Sequence, residues 1–154
     1  MLTIRKFRPA DAKACAQIIS ETFKKYNGNE GTKKAVEDYA KQYSPTLPQK
    51  TILERFSTTP LIFVAVEHGR IIGVVRGRKN KLTNLFVLGE YHGKGIGRKL
   101  LERLEREAKK EKSSHIKTRA SLYAVPFYKR AGYKKTTGIR NFHGLKIQPM
   151  RKQL

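Results

Sequence analysis

A chain of 154 residues with 38% hydrophobic content is long enough to bury one core and short for two domains. Cys15 is its only cysteine, which excludes an intrachain disulfide and any zinc site built from clustered cysteines. The formal charge is +22 and lopsided, since Arg76 to Leu154 holds 22 basic residues against 5 acidic ones. A field of that sign attracts phosphates on a nucleotide, an RNA or an acidic protein, unless the lysines are simply a solvated compositional excess. No apolar run approaches the ~20 residues of a membrane helix. Met1 to Lys6 has no apolar core of the secretory kind, so a cytoplasmic location is expected.

Leu2 to Phe7 alternates apolar and polar residues and reads as a strand. Asp11 is placed to cap a helix whose Cys15, Ile18, Ile19, Thr22 and Phe23 share one face, and Asn27-Gly28-Asn29 ends it. Thr32 to Tyr43 is polar and helix-permissive, Ser44 to Pro48 is irregular, and Gln49 to Phe56 reads as a short helix. Leu61 to Val66 and Ile71 to Val75, joined through His68-Gly69, form a hairpin. Leu82 to Leu88 is a further strand. A long helix follows from about Gly93 to Lys112, with Ile96, Leu100, Leu104 and Ala108 on its buried side. His115 to Arg119 reads as a strand, Leu122 to Ala131 as a helix, and the chain from Tyr133 as two strands turning near His143-Gly144. No linker or repeat divides the chain. The order predicts a single α/β domain over residues 1–154, a mixed sheet flanked by helices.

The stretch from Leu85 to Lys99 carries the chemistry. A buried strand ends, a short loop turns, and Gly93, Gly95 and Gly97 open a helix beside Lys94, Arg98 and Lys99. Glycines let backbone approach a bulky anion, and the unpaired N–H groups of a helix start point towards it. This predicts a pyrophosphate cradle. The P-loop string is absent, and the singly alternating glycines do not match the dinucleotide fingerprint.

His92-Gly93-Lys94-Gly95-Ile96-Gly97 resembles the GNAT signature [Q/R]-x-x-G-x-[G/A], with His92 where Gln or Arg is usual. Ser121 to Tyr133 is similar to that family's N-x-x-A-x-x-F-Y-x-x-x-G-[FY] segment, with Ser121 in place of Asn. The resemblance implies a mixed, mostly antiparallel GNAT-like sheet and an acetyl-CoA-dependent N-acetyltransferase that uses no metal. It implies that Leu85, Phe86 and Val87 line the pantetheine arm and that His92, Gly93, Lys94, Gly95, Ile96, Gly97, Arg98 and Ser121 contribute to the cofactor site. Tyr128 falls at the position of the general acid that protonates the leaving thiolate, and the Val87 N–H would polarise the thioester carbonyl.

The base and the acceptor are not legible. No Asp or Glu occurs between Glu67 and Glu90, and His115 and His143 are isolated. Cys15, on an apolar helix face, reads as core rather than as an acyl-carrying nucleophile. The acceptor is a primary amine on a small molecule, a protein or an RNA. Glu30, Glu37, Asp38 and Glu54, ahead of the hairpin, are the only source of an acidic acceptor pocket. The alternative function is a basic RNA- or ribosome-binding module on the same fold, using Lys109, Lys110, Lys112, Lys117, Arg119, Lys129, Arg130, Lys134 and Lys135.

Overall fold

The computed structural model describes all residues, 1–154. Strands β1 (Leu2–Lys6), β2 (Leu61–Glu67), β3 (Arg70–Arg78) and β4 (Lys81–Val87) form an antiparallel meander. Helices α1 (Ala12–Asn27), α2 (Lys33–Gln42) and α3 (Gln49–Phe56) are inserted between β1 and β2. After β4 come α4 (Ile96–Lys110), β5 (His115–Ser121), α5 (Val125–Arg130), β6 (Lys134–Lys135), β7 (Arg140–Phe142) and β8 (Leu145–Gln153). The sheet order is β1-β2-β3-β4-β5-β8-β6, with β7 also paired to β8. Only β4 and β5 run parallel, because α4 supplies the crossover between them.

The strand period of two divides the core into layers. Phe63 and Ala65 pack with Leu100, Leu101 and Leu104 of α4, whereas Val64 and Val74 pack with Cys15, Ile19 and Phe56 of α1 and α3. The four-residue spacing in α4 puts Ile96, Leu100, Leu104 and Ala108 at 4% exposure or less, as the sequence predicts. His68 and Gly69 take φ values of 51° and 73°, which matches the hairpin turn to the twist of β2 and β3.

Three boundaries differ from the sequence reading. Gly93 and Gly95 are left-handed, with φ of 76° and 81°, so α4 starts at Ile96 rather than Gly93. The Asp11 carboxylate turns back to accept from the Arg8 N–H at 2.7 Å and to pair with Arg5 at 2.8 Å, leaving α1 without a side-chain cap. The C-terminal region holds three strands rather than two, because Thr136 to Ile139 interrupts the edge opposite β8 and leaves β6 and β7 as separate pieces.

Candidate active site

The sheet comes apart at its centre. β4 and β5 are in register only at Lys81–Lys117 and Leu82–Thr118, and beyond those pairs the strands diverge. The Leu88 N–H donates to the Ile72 carbonyl of β3, so by alternation Phe86 also faces β3, while Leu85 and Val87 face the gap. Consistent with this, the Val87 carbonyl accepts from His92 Nε2 at 2.6 Å instead of from β3. The result is an internal strand edge whose Leu85 and Val87 N–H groups are open to a ligand.

One cleft of about 440 Å³ runs from this edge to the start of α4. No backbone N–H from Gly93 to Arg98 donates a hydrogen bond within the chain; the first to do so is Lys99, to Gly95. Six consecutive donors at the positive end of a fifteen-residue helix suit a diphosphate. The cleft gathers eleven of the twelve residues that the sequence singles out: Leu85, Phe86, Val87, His92, Gly93, Gly95, Ile96, Gly97, Arg98, Ser121 and Tyr128. Lys94 alone does not line the cleft: its ammonium stands 5.3 Å from the Tyr91 ring centre, while its backbone N–H remains one of the six. The Ser121 hydroxyl accepts from the Ala124 N–H at 3.3 Å, capping the turn that leads into α5.

A second cleft, of about 580 Å³, opens beneath α2 and shares Asn27, Leu85, Phe86, Ser121, Ala124 and Tyr128 with the first. The two meet where β4 and β5 part. Tyr128 stands at this junction, 4% exposed, with its ring edge-on to Phe127 and Tyr133. Burial pushes its ionisation well above the usual tyrosine value, although a hydrogen bond with Thr118 opposes the shift. The phenol therefore keeps its proton at neutral pH. Cys15 is fully buried in α1, and desolvation pushes its thiol up to about 12, so no thiolate is available there.

Glu30 has a different part from the one its sequence position suggests. It is 7% exposed, and its carboxylate accepts the Leu122 N–H at 2.9 Å, the Tyr123 N–H at 3.0 Å and the Asn27 amide at 3.2 Å. It pins the end of β5 to the end of α1, across more than ninety residues of sequence, and lends no free acid to the second cleft. Asp38 lines that cleft but pairs with Lys34 at 2.7 Å, while Glu37 and Glu54 are exposed and do not line it. Sequence reading also missed Tyr26 and Tyr123, whose rings stand 4.8 Å and 6.3 Å from His92 and roof the first cleft. An aromatic at the end of a helix and another in a turn give no sequence sign of meeting.

A strand edge opened by splaying, followed by a run of free N–H groups at a helix start, suits a ligand that is extended at one end and carries a diphosphate at the other. The family model for the acetyltransferase (GNAT) domain matches residues 22–154, and the chain belongs to that family. A GCN5-related N-acetyltransferase from Rhodopseudomonas palustris is 21% identical, with a TM-score of 0.85 over 99% of this chain and 95% of that one. The PaiA N-acetyltransferase of Thermoplasma acidophilum, whose structure is a complex with coenzyme A, is 21% identical, with a TM-score of 0.78 over 100% and 99%. Ard1 of Thermoplasma volcanium is 17% identical, with a TM-score of 0.74 over 99% and 97%. At these identities the likeness is one of fold. No group of His, Cys, Asp and Glu is arranged to hold a metal, and no helix is long and apolar enough to cross a membrane.

Proposed function

We propose that the chain moves the acetyl group of acetyl-CoA to a primary amine by direct attack within a ternary complex. The observation that carries this reading is the meeting of two clefts at Leu85, Phe86 and Tyr128, one suited to a diphosphate-bearing chain and one open to an acceptor. The free N–H groups from Gly93 to Arg98 hold the pyrophosphate, with Arg98 adding charge. Leu85 and Val87 offer backbone groups to the pantetheine arm. As the amine nitrogen bonds to the carbonyl carbon, negative charge grows on the oxygen, and the Val87 N–H stabilises it. The carbon–sulfur bond then breaks, and Tyr128 gives its proton to the departing thiolate. Glu30 and Asp38, the carboxylates that line the acceptor cleft, are both engaged, so the amine loses its proton to solvent.

Initial-velocity measurements with acetyl-CoA and a responsive amine should give intersecting lines, the mark of a ternary complex. Cys15→Ala should keep kcat within about twofold and lower Tm by a few degrees, since trimming a buried thiol costs packing but unpairs nothing. Parallel lines together with an acetylated Cys15 found by mass spectrometry would overturn direct attack.

A second reading is favoured by one surface feature. Lys81, Lys117, Arg151 and Lys134 lie in direct cross-strand register over β4, β5, β8 and β6, the last three exposed. We propose this row as a contact for polyanions, RNA among them. If it neutralises about four phosphates of single-stranded RNA, log affinity should fall against log salt with a slope of about −3. Negligible RNA binding at low salt would leave the row as a solvated face.

A further inference from the structure

Arg76 of β3 is 3% exposed and forms no ion pair. Its guanidinium donates to Thr59 at 3.1 Å, Thr58 at 3.2 Å, the Arg55 carbonyl at 3.4 Å and Tyr43 at 3.3 Å, all neutral, and lies over the Phe56 ring at 5.0 Å. A buried cation without a counter-anion is costly, and burial pulls its pKa down. One of its hydrogen bonds, however, leads to the acceptor cleft.

The direction of that path is fixed at its start, because a guanidinium can only donate. The Tyr43 hydroxyl accepts from Arg76, so its own proton goes onward, to Asn84 Oδ1 at 3.3 Å. This turns the amide nitrogen of Asn84 towards Tyr39, whose hydroxyl accepts from it at 2.8 Å. Tyr39 is left with one proton, which finds no acceptor of the chain within 3.5 Å; the neighbouring Tyr43 hydroxyl is already engaged by Arg76 and Asn84. Tyr43, Asn84 and Tyr39 all line the acceptor cleft, and the Tyr39 ring is held by stacking on Phe23 at 4.1 Å. The relay therefore ends in a donor with a positive charge behind it.

Lys81, Arg119 and Lys146 also line this cleft. Arg119 is fixed over the Phe142 ring at 4.2 Å, and desolvation, then the nearby Arg119 and Arg78, press the Lys81 ammonium towards neutrality. Against these cations stand Glu30 and Asp38, the first occupied by backbone N–H groups and the second by Lys34. With both carboxylates engaged, a cleft so lined offers no free carboxylate to a polycation and presents its cations to an anion.

Resting on the acetyl-transfer reading above, we infer that the acceptor is a primary amine carrying its own oxyanion, a carboxylate or a phosphate. The Tyr39 hydroxyl, at the end of the Arg76–Tyr43–Asn84 relay, binds that group, and Lys81 and Arg119 supply the countercharge. The same positive field favours the neutral form of the attacking amine, which lightens the need for a protein base.

The test is acetyl transfer to matched pairs: amino acids of several sizes against their carboxamides, and phosphoethanolamine against ethanolamine, with thermal shift by acetyl-CoA measured in parallel. The oxyanion-bearing member of at least one pair should have a kcat/KM at least tenfold higher, and the better series assigns carboxylate or phosphate. Tyr39→Phe keeps the ring and should raise KM for that substrate about ten- to a hundredfold, with kcat within a few-fold, as for a lost hydrogen bond to a charged group. Lys81→Gln should act in the same direction by a smaller factor. Equal or better turnover of the neutral members, no turnover of any oxyanion-bearing amine, or an unchanged KM in Tyr39→Phe would overturn the inference. In the first case acetyl transfer itself stands. Loss of both turnover and the acetyl-CoA thermal shift would remove the two readings together.

Discussion

Replacing Gly95 or Gly97 by glutamate should abolish the rise in melting temperature that acetyl-CoA produces. At a hundredfold excess over Kd the bound ligand stabilises the native state by about 2.7 kcal/mol, a rise of roughly 5–10 °C for a chain of this size. Both variants place a carboxylate among the six free N–H groups at the start of α4, where the pyrophosphate would sit. They differ in what else they disturb. Gly95 has φ of 81° and open space where a Cβ would stand, so a side chain there is strained but not crowded. A Cβ on Gly97 would lie 3.3 Å from the Phe127 ring and 3.8 Å from Val87, narrowing the cleft itself. Gly95→Asn is the control: asparagine tolerates the left-handed region and carries no charge, so it should keep most of the shift. A full shift in both glutamate variants would mean that the diphosphate binds elsewhere.

The mechanism turns on Tyr128→Phe. The ring and its edge contacts with Phe127 and Tyr133 remain, and only the proton is lost. A positioned general acid contributes ~10²–10⁴-fold, but a CoA thiolate is a fair leaving group, so kcat should fall roughly ten- to a few-hundredfold. Affinity for acetyl-CoA should change by about 1 kcal/mol at most, the worth of one hydrogen bond. Because burial keeps the phenol protonated through and beyond neutral pH, the alkaline limb of the wild-type rate profile should not report its ionisation below about pH 10. The measurement is kcat and Kd for both proteins on one amine, with Tm as a check on folding. Equal kcat would assign Tyr128 to packing and give the proton to solvent.

Much of this architecture is legible in the residues because local rules and tertiary packing agree. Gln49–Phe56, the hairpin around His68-Gly69 and the buried stripe of α4 follow from turn chemistry and from periods of 2 and 3.6. The glycine run around Ile96 was readable for the same reason, since few sequences place three glycines in five residues where a strand gives way to a helix. Register was not. Nothing in Lys81 to Val87 or His115 to Ser121 tells that two residue pairs will match and the next will not. The acceptor side was also hidden, because its polar groups come together from α2, β3, β4 and β5. Asp11 and Glu30 illustrate the limit: a carboxylate's type says that it will find donors, but not which ones. Asp11 found Arg5 and Arg8 nearby; Glu30 found Leu122 and Tyr123 far along the chain.

The parting of β4 and β5 also bears on how the molecule holds together. Two register pairs, Lys81–Lys117 and Leu82–Thr118, are the whole of the main-chain seam between a four-stranded lobe and the β5, β6, β7 and β8 lobe. A long molecule laid along the open edge of β4 would lengthen that seam as an extra strand does, lending the sheet the hydrogen bonds that its own chain withholds. Elsewhere the lobes are already joined by the Glu30 carboxylate, the Gly31–Leu145 bridge and a shared apolar core, so the filled edge would complete a seam that side chains alone now span. On the acetyl-transfer reading, the ligand becomes part of the frame, and the stitch that closes the sheet is one the protein must release at every turnover.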